Sequence, residues 1–139
     1  MKVELQRKNQ AVHFEGKGSS AADIKINIDG SPEIGGEGLG VRPMELVLMA
    51  LGSCSSLDLL AILKKQRQQV DDVKMEVSAT RADAIPAVFK TIHITFKFKG
   101  DLDRQKVEKA VELAVKKYCS VHDMLAAGGV EITYSVEIE

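Results

Sequence analysis

Alternation of apolar and polar positions marks six strands in this chain, and a helical period marks three helices. Val3, Leu5 and Arg7 alternate with polar neighbours over residues 2–9, and Val12 and Phe14 do so over 11–17, with Asn9-Gln10 as the predicted turn. Residues 23–29, Asp-Ile-Lys-Ile-Asn-Ile-Asp, alternate strictly. Residues 30–41 carry Gly30, Pro32, Gly35, Gly36, Gly38 and Gly40, and read as a loop too long for a turn, either a flap over the next helix or disordered. Pro43 then suits the first position of a helix running to about Gln68, with Lys64, Lys65 and Arg67 at the end where cations complement the helix dipole. Two further strands, 73–83 and 88–99, form an expected hairpin, with Ile92, Ile94, Phe96 and Phe98 facing inward. Asp101 or Asp103 can cap a helix over about 103–117, in which Val107, Ala110, Val111, Ala114 and Val115 share one face. A short helix from about Val121 to Ala127 stops at Gly128-Gly129, and residues 130–138 alternate again as a strand.

The resulting order, β-β-β-α-β-β-α-α-β, segregates strands from helices and predicts an α+β fold with antiparallel sheet, in a single domain over residues 1–139. No repeat or low-complexity tract interrupts it. The helix from Pro43 is the exception to amphipathic patterning. Leu46, Val47, Leu48, Met49, Leu51, Leu57, Leu59, Leu60 and Ile62 leave it no wide polar face. Such a helix is buried or crosses a membrane; Glu45, Gly52, Asp58 and the run Ser53-Cys54-Ser55-Ser56 argue against a membrane. One sheet and one amphipathic helix shield only part of it, so a symmetric homodimer with these helices in contact is expected.

Composition narrows the function classes. The net charge of −1 points to neither nucleic acid nor an anionic membrane surface. With no Trp and 4% aromatics, the core must be largely aliphatic. The first residues, Met-Lys-Val-Glu-Leu-Gln-Arg-Lys, contain no apolar signal segment, so the expected location is cytoplasmic. There, two cysteines are either inert buried thiols or redox groups rather than a structural disulfide. Cys54 lies in the middle of the long helix and Cys119 lies in Lys-Lys-Tyr-Cys-Ser-Val-His-Asp, far outside C-x-x-C spacing. His122, three residues after Cys119, could favour a thiolate if charged, whereas Asp58, one turn after Cys54, would oppose one. Cys54, Cys119 and His122 lack a fourth partner for zinc, and the glycine-rich loop lacks the phosphate-loop pattern, so no metal or cofactor is expected.

The segment Arg-Pro-Met-Glu-Leu-Val-Leu-Met-Ala-Leu-Gly-Ser-Cys-Ser-Ser-Leu-Asp-Leu at 42–59 resembles the central helix of the OsmC/Ohr superfamily, and Lys-Tyr-Cys-Ser-Val at 117–121 resembles that family's second cysteine motif. The element order is similar as well, and the likeness is greatest to the small stand-alone OsmC-like proteins. The resemblance implies two antiparallel sheets around a buried central helix, an intertwined homodimer, and a cysteine-dependent peroxidase for organic hydroperoxides in oxidative-stress defence. Cys54 would be peroxidatic and Cys119 resolving, with a dithiol reductant restoring both. Peroxidases of the family hold the thiolate with an Arg and a Glu that follows the helix-opening Pro; this chain has Met44 at that Glu position. Glu45 is one place later, which puts it about 180° from Cys54 on a regular helix. Arg42, Glu45 and His122 are the candidate supporting residues. Met44, Val47, Ala50 and Leu51 are the candidate apolar pocket, whose character favours alkyl peroxides over hydrogen peroxide. The alternative reading is a non-catalytic homodimer that binds a small apolar ligand or senses redox state at the same interface.

Overall fold

Strands β1 (Val3–Arg7), β2 (Phe14–Gly18) and β3 (Lys25–Ile28) pair as an antiparallel meander in the order β1-β2-β3. The computed structural model describes residues 1–139, which divide into two compact units, Met1–Val47 and Leu48–Glu139. In the first unit β1 and β2 are shorter than their alternation predicts. The Asn9 side chain is the reason: its Oδ1 accepts from the N–H groups of Ala11 (3.0 Å) and His13 (3.2 Å). That folds residues 8–13 into a wide Asx-type loop instead of a two-residue hairpin.

The glycine-rich segment is ordered rather than disordered. Asp29, only 1% exposed, accepts from the N–H groups of Gly30 (2.8 Å), Glu37 (2.9 Å) and Leu39 (3.0 Å). Its carboxyl is held below the ordinary carboxylate range, chiefly by the Glu37 and Leu39 N–H groups. A turn of 3₁₀ helix covers Pro32–Ile34, and Val41 returns to pair with Ile28. The return needs Gly40, since a Cβ there would sit 2.3 Å from the Asn27 backbone.

Helix α1 (Pro43–Lys65) begins in the first unit and continues into the second. It stops three residues earlier than predicted, where Arg67 takes φ +54° and turns the chain into β4. In the second unit β4 (Gln69–Arg81) and β5 (Phe89–Asp101) form the expected antiparallel hairpin. Asp103 caps α2 (Arg104–Leu113), accepting from Lys106 N–H at 3.0 Å. A π-helical turn, Ala114–Tyr118, links α2 to α3 (Ser120–Ala127), and β6 (Glu131–Ile138) closes the sheet in the order β4-β5-β6.

The expectation of purely antiparallel sheet fails at β6, which pairs parallel to β5 with Thr91 opposite Glu131 and Phe98 opposite Ile138. The chain leaves β5, crosses through α2 and α3, and re-enters the sheet in the same direction, as a helical crossover requires. Central strand β5 supplies Ile92, Ile94, Phe96 and Phe98 to the core, all at most 1% exposed. Leu51, Leu59 and Leu63 of α1 and Val107, Ala110, Val111, Ala114 and Val115 are buried with them. Burial of such side chains, at roughly 1.5–3 kcal/mol each, is the main force holding this unit. His93 lies on the opposite face of β5. It is half-buried, with ring nitrogens bonded to the hydroxyls of Thr133 (2.7 Å) and Ser135 (2.9 Å).

Uniform apolarity does not give α1 uniform burial. Leu51, Gly52, Ser55, Ser56, Leu59 and Leu63 are buried. Met49, Leu57 and Leu60 are 53%, 73% and 40% exposed, and their spacing puts them on one stripe of the same helix.

Candidate functional site

The two cysteines meet where α1 passes the start of α3. Cys54 is half-exposed on α1, and Cys119 is 1% exposed immediately before α3. Cys54 Sγ lies 3.9 Å from the hydroxyl of Ser120, the residue after Cys119, so the two thiols are neighbours, and both are reduced. The π-helical turn over Ala114–Tyr118 determines how the chain enters this region, and Cys119 leaves it in an extended conformation (φ −79°, ψ 104°).

Cys119 is the N-cap of α3, and its Sγ accepts from the N–H of His122 at 3.3 Å. A helix opens with N–H groups that have no partner of their own. One of these is taken by Cys119. The N–H groups of Val121 and Ser120 favour the Cys54 thiolate, and Ser120 Oγ lies 3.9 Å from Cys54 Sγ. Buried Ser55 completes the surroundings: its Oγ donates to Leu51 O at 2.9 Å.

This arrangement separates the two thiols electrostatically. Burial pushes Cys54 up, but the Val121 N–H, the Cys119 thiol and the Ser120 hydroxyl and N–H outweigh it, and Cys54 lies below an ordinary thiol. Burial pushes Cys119 up, and contact with Cys54 adds to that. The Ser55 hydroxyl and the His122 N–H oppose the rise only in part, so Cys119 stays above an ordinary thiol. The first proton therefore leaves Cys54, the more exposed of the two, and Cys119 keeps its own. A low, accessible thiol beside a proton-holding one can act as a nucleophile toward an electrophilic oxygen or sulfur.

The other sequence candidates have defined partners. His122 reaches Cys119 through its backbone N–H, while its ring Nδ1 contacts Asp123 Oδ1 at 3.1 Å; the expected imidazolium influence is thus a main-chain one. In the first unit, Arg42 donates Nη1–H to Gly30 O at 2.6 Å, and Glu45 Oε2 accepts from Arg42 N–H at 3.1 Å. That second bond is the reciprocal half of a capping box, with Arg42 at the N-cap and Glu45 at N3. Met44 and Val47 are half-buried, Ala50 is exposed, and Leu51 belongs to the core with no exposed surface. No three His, Cys, Asp or Glu side chains are grouped to hold a metal ion. Sequence reasoning missed Ser120. Its one signal was a small hydroxylated residue directly after Cys119.

Comparison with known proteins agrees with this architecture. The family model described as OsmC-like protein matches residues 35–135. The chain is 40% identical to Protein YhfA of Escherichia coli K12 over 122 residues, 87% of each chain. It is 34% identical to a hypothetical protein from Aquifex aeolicus VF5, whose crystal structure has a TM-score of 0.81 over 99% of this chain and 96% of that one. The organic hydroperoxide resistance protein OsmC of Legionella pneumophila shares the fold at 19% identity, with a TM-score of 0.68 over 98% and 95% of the two chains. The chain belongs to the OsmC-like protein family.

Proposed function

We propose that this protein is a cysteine-dependent peroxidase that reduces organic hydroperoxides. The observation that carries the reading is that Cys54 lies against Ser120, beside Cys119, so two thiols remote in sequence are neighbours, with the lower pKa on the more exposed of them. The Cys54 thiolate attacks the terminal oxygen of R–O–OH, breaking the O–O bond. Sulfur gains the hydroxyl as sulfenic acid, and the alkoxide leaves and takes a proton to give the alcohol. The Cys119 sulfur, once deprotonated, attacks the Cys54 sulfur and displaces hydroxide, which is protonated to water as the disulfide forms. A dithiol reductant returns both thiols and is itself oxidised to a disulfide. The choice of an alkyl peroxide is supported by half-buried Met44 and Val47 and by exposed Ala50 along α1. The substrate class for which the Legionella relative is named supports it too.

The exposed stripe Met49, Leu57 and Leu60 supports a homodimer in which this face of α1 meets a second copy, since large apolar side chains on one exposed helix face seek cover. The same chemistry suits a cytoplasmic protein, where a dithiol reductant is at hand.

A second reading, a redox sensor or apolar-ligand binder without turnover, draws on one observation. The guanidinium of Arg42 and the carboxylate of Glu45 are committed to Gly30 and to the start of α1. Turnover of cumene hydroperoxide with dithiothreitol decides between them. The peroxidase reading expects consumption in the wild type and none in Cys54→Ser; equal consumption by both would sink it.

A further inference from the structure

We propose that Ser120 is the positioning residue that holds the Cys54 sulfur in its anionic form, its hydroxyl donating to Sγ at the opening of α3. The inference deepens the peroxidase reading by naming what readies the nucleophile, but it concerns the resting thiol and stands apart from any turnover.

Three observations carry it. First, Ser120 Oγ reaches Cys54 Sγ at 3.9 Å. That is a loose contact for a neutral thiol, whose sulfur is a weak acceptor, and an anionic sulfur draws the donor closer. Second, the hydroxyl is not spent on the helix. A serine at a helix start ordinarily caps it, but Cys119 does so here, which leaves Ser120 at the first helical position with its side chain free to face sulfur. Third, the cations and the histidine of this region are engaged elsewhere. Lys116 lies 3.8 Å from Glu112 and over the Tyr134 ring, Lys117 lies over the Tyr118 ring, and the His122 imidazole is against Asp123. A thiolate at Cys54 is therefore met by hydroxyl and backbone N–H donors rather than by a side-chain charge.

The test is the pH profile of Cys54 alkylation by iodoacetamide, followed by intact mass. It is run in a Cys119→Ser background, so that one thiol reports and a serine still caps α3. Ser120→Ala is expected to raise the midpoint by about one pH unit, the effect of losing one hydrogen bond to a charged group. The alkaline plateau should rise about threefold, because a more basic thiolate is more nucleophilic. Ser120→Thr should restore both. Ser120 is exposed, so the alanine variant keeps the fold, as far-UV circular dichroism checks. An unchanged midpoint in a folded Ser120→Ala protein overturns the proposal, whether or not the wild type turns over peroxide. A raised midpoint in a protein that consumes no peroxide supports it and removes the peroxidase reading alone.

Discussion

Replacing Gly52 with alanine sets two effects of similar size against each other. Alanine in mid-helix is worth about 1 kcal/mol over glycine, because glycine loses more backbone freedom on folding. A Cβ at position 52, however, would lie 3.2 Å from Cγ2 of Val77 on β4. Val77 cannot easily yield. Its branched side chain has few rotamers, and it stands opposite Ile94, which is fully buried. Overpacking of this kind costs about 1–3 kcal/mol, so Gly52→Ala is expected to destabilise the protein by about 1 kcal/mol net. In a Val77→Ala background the obstacle is gone and the same substitution should stabilise by about 1 kcal/mol. The two sites should therefore couple by about 2 kcal/mol in a double-mutant cycle. Equilibrium urea unfolding followed by far-UV circular dichroism suits a chain without Trp. Protein concentration must be fixed, because self-association would shift apparent stability. A stabilising Gly52→Ala with Val77 intact, or no coupling between the sites, would refute the reasoning.

Two further outcomes follow from other parts of the molecule. Leu57→Glu puts a charge at the most exposed large apolar residue of α1, and sedimentation should show a shift from dimer to monomer; an unaltered dimer mass would remove this stripe from the interface. Asp29→Asn removes one of two carboxylate oxygens serving three N–H groups, so the amides of Glu37 and Leu39 should exchange hydrogen faster. Because the folded carboxyl is held low, its contribution is present above the ordinary carboxylate pKa and lost as pH falls through the folded value. Wild-type protection at those amides should therefore weaken in acid, and that of the variant should change little.

The extent to which the chain could be read differs by element. The alternation Ile92, Ile94, Phe96, Phe98 identifies a strand with one buried face because only that pattern satisfies a two-residue period. It says nothing of partner direction, since a strand alternates identically in parallel and antiparallel pairs, and so the pairing of β6 was missed. Asp103 was legible as a cap because its residue type is a strong one. Cys119 was not, because a sulfur cap is weak and outside the usual set. Asn9 was read as a turn residue, but the breadth of its loop depends on which N–H groups its side chain reaches. Arg42 and Glu45 read as candidate site residues from their chemistry, yet each first meets a local need at the start of α1. The meeting of Cys54 with Ser120, and so with Cys119 beside it, is tertiary and lies in no spacing.

The parallel pairing of β6 also sets an order on folding. β4 and β5 meet through contacts as short as the eight residues between Arg81 and Phe89, whereas β5 and β6 join positions forty apart, such as His93 and Thr133. Closing the longer loop costs about 1 kcal/mol more in chain entropy, and α2 and α3 must be in place before β6 can align. The hairpin is thus expected to form first, with one edge of β5 unpaired until β6 docks. An open apolar edge is a template for the wrong strand, so refolding yield should fall as protein concentration rises, even where the finished sheet is stable.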